Sequence, residues 1–205
     1  MKKKTILLTA LLISALSLTA CGNSGKGKEA ARTKPSELKT SEISKSDAVS
    51  AFGNFKLTKF DGTQTELTRL LQNAELTVLN IWDPSCESCV DEMKAFSTIS
   101  GQYSGKGVQI VGIVRGVTEK QDQDALAVIT KTDAHYLQLL DTTELDQKIL
   151  DQYTETPTTL FLNRDGELLG DVYTGAKDQA FWEQEIEKYH SQVCVNDHPA
   201  DCATG

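Results

Sequence analysis

The sequence predicts an α/β domain, a central sheet with helices on both faces, preceded by an N-terminal extension. Three observations carry this. Through the middle of the chain, apolar runs of strand length alternate with amphipathic segments of helix length. A hairpin signal, Asn163-Arg164-Asp165-Gly166, and one more helical segment then close the domain. Residues 1–47 show no such alternation.

Residues 55–60 alternate, with Phe55 and Leu57 on one side, and run into Asp61-Gly62, a turn signal. Leu67, Leu70 and Leu71 give residues 65–71 a short helical turn. Leu76-Thr77-Val78-Leu79-Asn80-Ile81-Trp82 is apolar enough for a strand buried on both faces. Val90, Met93, Phe96 and Ile99 then recur every three residues and predict a helix over 87–103, stopped by Gly105 and Gly107. Residues 108–114 form a second apolar strand. A helix over 119–132 carries Leu126, Val128 and Ile129 inside, and residues 136–140 form a short strand. A helix over 143–153 holds Leu145, Ile149 and Leu150. Residues 158–163 are a strand, and 167–173 return beside it after the hairpin turn. The last helix, over 178–190, carries Phe181, Trp182, Ile186 and Tyr189.

The start of the chain is an address rather than a fold. Lys2, Lys3 and Lys4 form a basic head, and Ile6 to Leu18 an apolar stretch too short to span a bilayer comfortably. The segment ends Leu18-Thr19-Ala20-Cys21, which resembles the lipobox of bacterial lipoproteins. That resemblance implies a signal peptide over 1–20, lipidation at Cys21 and an extracytoplasmic protein anchored to the bacterial cell membrane. An ordinary cleaved signal peptide with a chance cysteine is the plainer alternative. Export permits disulfides in either case. Residues 21–47, rich in Gly, Ser and Lys, read as a flexible tether. The formal net charge is −8, and removing Lys2, Lys3 and Lys4 makes the mature chain more acidic still. Such a chain does not attract nucleic acid or anionic lipid by charge, so membrane contact falls to the lipid.

The chemistry gathers at Cys86-Glu87-Ser88-Cys89, between a strand and a helix. A thiol at a helix start meets unpaired N–H groups and the positive end of the helix, which stabilise its thiolate. Cys89 follows one turn later, within disulfide reach. The alternative is half of a zinc site, but no second Cys-x-x-Cys follows. Cys194 and Cys202 form a separate pair, most simply a structural disulfide closing a surface loop over residues 191–205. His198 between them leaves a metal site open, and a second redox pair is the third reading. His135 and His190 suggest no role.

The ordered set from Leu79 to Cys89, then Thr156-Pro157-Thr158-Thr159 ahead of a strand, then Asn163-Arg164-Asp165-Gly166, resembles the thioredoxin fold. More closely, it resembles the membrane-tethered thiol–disulfide oxidoreductases of the TlpA/ResA type, whose Asn-Phe-Trp is similar to Asn80-Ile81-Trp82 and whose Glu-Met matches Glu92-Met93. The resemblance covers roughly residues 51–190. It implies a thioredoxin-like domain over 48–190 with a central mixed sheet flanked by helices. It implies Cys86 as nucleophile and Cys89 as the resolving thiol, with no cofactor or metal beyond the Cys86–Cys89 disulfide. A cis Pro157 would lie against that disulfide, and Trp82, Thr156 and Pro157 would line the substrate site. Glu92 would tune thiol ionisation and proton transfer; read from spacing alone it is equally a solvated surface carboxylate. The implied partners are an integral membrane thiol donor and an exported client protein carrying a disulfide.

The chain departs from that pattern in places. Ser85 stands where the family has Trp, Ser88 where it often has Pro, and Lys94 where Pro often follows Glu-Met. Asp83 and Glu87 add negative charge beside Cys86 and oppose the effect of the helix terminus. Asn80 replaces the buried Asp of thioredoxin itself. The function implied is reduction of client disulfides by dithiol exchange. The alternatives are a disulfide-forming oxidase with the same residues, and a non-catalytic peptide-binding lipoprotein.

Overall fold

The structure, a computed structural model, describes residues 56–148 and 150–196. The signal peptide, Cys21, the tether, Phe55, Ile149, His198 and Cys202 lie outside the described residues.

The chain forms β1 (Lys56–Thr58), β2 (Gln64–Glu66), α1 (Leu67–Leu71), β3 (Leu76–Trp82), α2 (Glu87–Gln102), β4 (Val108–Val114) and α3 (Gln123–Thr132). There follow β5 (Leu137–Leu140), α4 (Thr143–Lys148), a 3₁₀ turn (Leu150–Gln152), β6 (Thr158–Asn163), β7 (Tyr173–Thr174) and α5 (Gln179–Asn196). Five strands make one mixed sheet in the order β5-β4-β3-β6-β7. β3 pairs in parallel with β4, from Leu76 opposite Val108 to Trp82 opposite Val114. β4 pairs in parallel with β5, while β6 runs antiparallel to β3 and β7 antiparallel to β6. The small β1–β2 hairpin joins this sheet through a bridge from Lys59 to Leu139.

β3 is central, and all seven of its residues are buried. That is why it reads as an unbroken apolar run rather than an alternating one. Alternation still decides which side each residue serves. Leu76, Val78 and Trp82 join a cluster with Met93, Phe96 and Ile99 of α2, Ile129 of α3, and Trp182, Ile186 and Tyr189 of α5. Leu79 and Ile81 join Leu57, Leu67, Leu71, Leu145 and Leu150 on the other side. Each such side chain taken from water contributes about 1.5–3 kcal/mol, which makes these two layers the main support of the fold.

Four elements differ from the expectation. α3 starts at Gln123 rather than 119, because Gln121 adopts a left-handed φ of 58° and Asp122 caps the helix by accepting from Ala125 N at 2.9 Å. From that start Ala125 and Ile129 face the core, and Leu126 is 39% exposed. The helix expected over 143–153 divides into α4 and a 3₁₀ turn. The strand expected over 167–173 reduces to a bridge at Leu168 and to β7. Between them Gly170 has φ +68°, and a Cβ there would fall 1.9 Å from the Tyr189 hydroxyl. α5 continues past His190 to Asn196 and buries Val193.

Candidate active site

β3 ends at Trp82, and the next four residues turn the chain into α2. Cys86 N–H donates to the Asp83 carbonyl at 3.0 Å. The Asp83 carboxylate Oδ1 accepts from Ser85 N at 2.7 Å and from Ser85 Oγ at 2.5 Å. Cys86 is thereby placed as the N-cap of α2, where its Sγ accepts the Cys89 N–H at 3.1 Å. One of the orphan donors of the helix start thus points at the sulfur. Cys86 and Cys89 form a disulfide, with an S–S distance of 2.07 Å and Cα atoms 5.4 Å apart. The two sulfurs are not equivalent. Cys89 is fully buried, whereas Cys86 is half-buried and lines an open groove of about 710 Å³ with Asp83, Ser85, Glu87, Asp91 and Thr156.

The Thr156–Pro157 peptide bond is cis. Pro157 is buried, Thr156 is half-exposed, and the Thr156 carbonyl oxygen lies 3.4 Å from Cys86 Sγ. With the sulfur in a disulfide there is no S–H to donate, so this contact becomes a hydrogen bond only after reduction. Ser88 Oγ lies 3.5 Å from the same sulfur and can donate to it in either state.

Below the disulfide, α2 turns Glu92 into the protein interior, where it is 1% exposed. This settles the choice left open by the spacing: Glu92 is not a surface carboxylate. Asn80, on the same side of β3, donates from Nδ2 to Glu92 Oε2 at 2.9 Å and to Thr159 Oγ1 at 3.0 Å. The Lys177 backbone N–H donates to Glu92 Oε1 at 3.2 Å. Burial outweighs the two hydrogen bonds that Glu92 accepts and pushes its carboxyl up to about 7. Glu92 therefore gains or loses its proton near neutral pH, one helical turn from Cys89.

Trp82, expected to line the substrate site, does not. It is fully buried, and its indole N–H donates to Gln138 Oε1 at 2.9 Å. A substrate contact needs an exposure that Trp82 lacks; it packs in the core cluster that also holds Cys89. Gln138 went unnoticed in the sequence, although a lone polar residue inside the apolar run Leu137–Leu140 is the signal that finds it. Gly112 leaves room for that contact, since a Cβ on it would fall 2.0 Å from Gln138 Oε1. Lys177 was also missed, because its role is carried by its backbone. Cys194 sits in the last turn of α5 and is disulfide-bonded. Among the described residues no group of three or more His, Cys, Asp or Glu is arranged to hold a metal ion.

A thioredoxin fold whose first long helix begins on a Cys-x-x-Cys disulfide, with a cis proline beside the outer sulfur, defines the class of thiol–disulfide oxidoreductases. The chain belongs to the AhpC/TSA family, whose model matches residues 49–169. It is 26% identical over 136 residues to thiol-disulfide oxidoreductase ResA of Halalkalibacterium halodurans, covering 65% of this chain and 72% of that protein. The fold is similar to that of a thiol:disulfide interchange protein of the thioredoxin family from Chlorobium tepidum, with TM-score 0.57 and 18% identity over 67% of this chain and 94% of that one. It is also similar to StoA from Bacillus subtilis, with TM-score 0.50 and 18% identity over 63% of this chain and 93% of that one.

Proposed function

We propose that this protein is a lipid-anchored, extracytoplasmic reductase of disulfides in exported client proteins. The observation that carries the reading is the asymmetry of its own disulfide: Cys86 opens on a groove beside Thr156, while Cys89 is sealed behind it. In the reduced protein the Cys86 thiolate attacks a client disulfide. A Cys86–client bond forms, the client S–S bond breaks, and the departing client sulfur leaves as a thiolate that takes a proton. Cys89 then gives up its proton and attacks Cys86 Sγ. The Cys86–Cys89 bond forms again, the mixed disulfide breaks, and the second client sulfur leaves. Two electrons pass from the protein dithiol to the client. Glu92 is the acceptor for the Cys89 proton, poised for it by its raised pKa. Thr156 holds the client backbone in an extended form against the groove, with Pro157 behind it. An integral membrane thiol donor restores the dithiol.

Anchoring rests on the Leu18-Thr19-Ala20-Cys21 sequence and its basic and apolar lead. Among the described residues no helix is long and apolar enough to cross a membrane. The reducing direction is supported by charge. Asp83, Glu87 and Asp91 line the groove with the outer sulfur and disfavour its thiolate; this destabilises the reduced form relative to the disulfide and makes the dithiol the better reductant, the opposite of proteins whose thiolate is strongly stabilised. A midpoint potential close to the about −120 mV of a strong disulfide-forming oxidant would contradict this direction.

The test is a trap. Cys89→Ala leaves the first step and removes the second, so mixed disulfides through Cys86 accumulate in cells. Cys86→Ala accumulates none. Cells carrying Cys89→Ala without adducts would contradict exchange and favour a non-catalytic binding module.

A further inference from the structure

The groove over Cys86 is lined by charge of one sign. Glu87 and Asp91 are exposed on the first turns of α2, and Asp83 is half-exposed on the turn before it. No lysine or arginine lines this groove. Among the nearby cations, Lys94 pairs with one of the groove's own carboxylates and offsets part of its charge, while Arg115 and Lys177 bind other partners. Lys94 pairs with Asp91 at 2.9 Å, with both side chains largely in solvent. Arg115 donates to the backbone carbonyls of Tyr153 and Leu150 and lies 3.7 Å from Asp146. Lys177 Nζ donates to the carbonyls of Thr174 and Gly175. On the flank beyond Ser85, a neighbouring groove shares Asp83 and adds Asp122 and Asp124, with Arg115 its one cation. Glu155 is exposed immediately before Thr156.

We infer that the groove selects clients whose reacting cysteine is flanked by lysine or arginine. The inference rests on the exchange reaction proposed for Cys86 and names its substrate class. The acidic residues do not define the site; the half-exposed sulfur and the Thr156 backbone do. The carboxylates decide which polypeptide approaches it. A cleft carrying one sign of charge concentrates ligands of the other sign and repels its own. A client chain laid beside Thr156 lies in the groove that Asp83, Glu87 and Asp91 line. Cationic residues flanking the client cysteine therefore meet carboxylates, and acidic ones meet repulsion. A bound lysine or arginine also offsets the negative charge around Cys86 and so favours its thiolate, so that the matching client helps to activate the nucleophile.

The experiment follows the first exchange step on the oxidised full chain. A client thiolate attacks Cys86 Sγ, the Cys86–Cys89 bond breaks, and Cys89 leaves as the thiolate. Two peptides of equal length are used, each with one cysteine, flanked by lysines in one and by glutamates in the other. The ratio of their rates is measured in the wild type and in the triple variant Asp83→Asn, Glu87→Gln, Asp91→Asn. Intrinsic thiol reactivity of the peptides cancels when the two ratios are compared. The wild-type ratio of lysine to glutamate peptide is expected to exceed that of the variant by about ten-fold at low salt. It is expected to converge on the variant's ratio at about 1 M salt, where the Debye length falls to about 3 Å. Equal ratios in the two proteins, with exchange proceeding, would overturn the charge selection and leave the exchange reaction standing. No exchange with either peptide in either protein would overturn the reaction itself, and the selection with it.

Discussion

Leu79 and Ile81 point from β3 into a cluster whose buried members are all leucine, isoleucine or valine. Their neighbours Asn80 and Trp82 serve the other side of the same strand. That side holds Cys89, Met93 and Phe96, a run of aromatic contacts along α5, and the buried carboxyl of Glu92. The difference lies in what each side requires. The aliphatic side asks only for volume and shape. The redox side also contains buried polar groups, and the hydrogen bonds among them fix one arrangement. Asn80 bridges Glu92 and Thr159, and Gln138 holds Trp82. On that side burial raises the proton affinity of the Glu92 carboxyl, one helical turn from Cys89.

Substitutions on the two sides should therefore fail differently. The largest effect expected is on the aliphatic side. Leu160 is fully buried there, and Leu160→Ala is expected to cost about 2–5 kcal/mol in a denaturant titration. The pH profile of Cys86 alkylation in that variant is expected to match the wild type. A shifted profile would mean that the two layers are not independent.

On the redox side the expected effect depends on pH. The Glu92 carboxyl has a folded-state pKa of about 7 against its ordinary value of 4.5. The folded protein thus holds the proton more tightly than the unfolded chain. The associated stability is complete below about pH 4.5 and is lost as pH rises through about 7. The loss amounts to about 3 kcal/mol at about 1.4 kcal/mol per pH unit. Glu92→Gln removes this dependence, so its stability relative to the wild type is expected to rise by about 3 kcal/mol between pH 4.5 and 8. A difference that stays flat with pH would show Glu92 to be ionised throughout. The smallest effect belongs to neither layer. Leu126 faces solvent on α3, and Leu126→Ser is expected to change stability by less than about 0.5 kcal/mol. A loss of core size there would restore Leu126 to the interior, where the periodicity of the sequence put it.

Much of the fold was legible because its central strands are buried on both faces. Leu76–Trp82, Val108–Val114 and Thr158–Asn163 lie where their apolar runs end. The errors fall where a backbone conformation or a cap overrides periodicity. The left-handed Gln121 and the Asp122 cap delay α3, and the close approach of Gly170 to Tyr189 interrupts the strand after the hairpin. The Cys86–Cys89 pair was legible from its three-residue spacing, whereas the cis Pro157 and the inward Glu92 were legible only through the resemblance to the TlpA/ResA type. Trp82, placed at the substrate site through the family resemblance, was misjudged because a motif position says nothing of depth. It ends a strand whose residues are all buried, and a side chain there supports the site from behind. The acidic groove was half visible: Asp83 and Glu87 adjoin Cys86 in sequence, whereas Asp91 reaches it only through the helical turn.

The central claim is that one sulfur faces the client and the other faces only its partner. The direct measurement is alkylation of the fully reduced protein with limiting iodoacetamide at neutral pH, followed by peptide mapping of both cysteines. Label is expected almost wholly on Cys86, with Cys89 modified only after unfolding. Equal labelling, or faster labelling of Cys89, would contradict it.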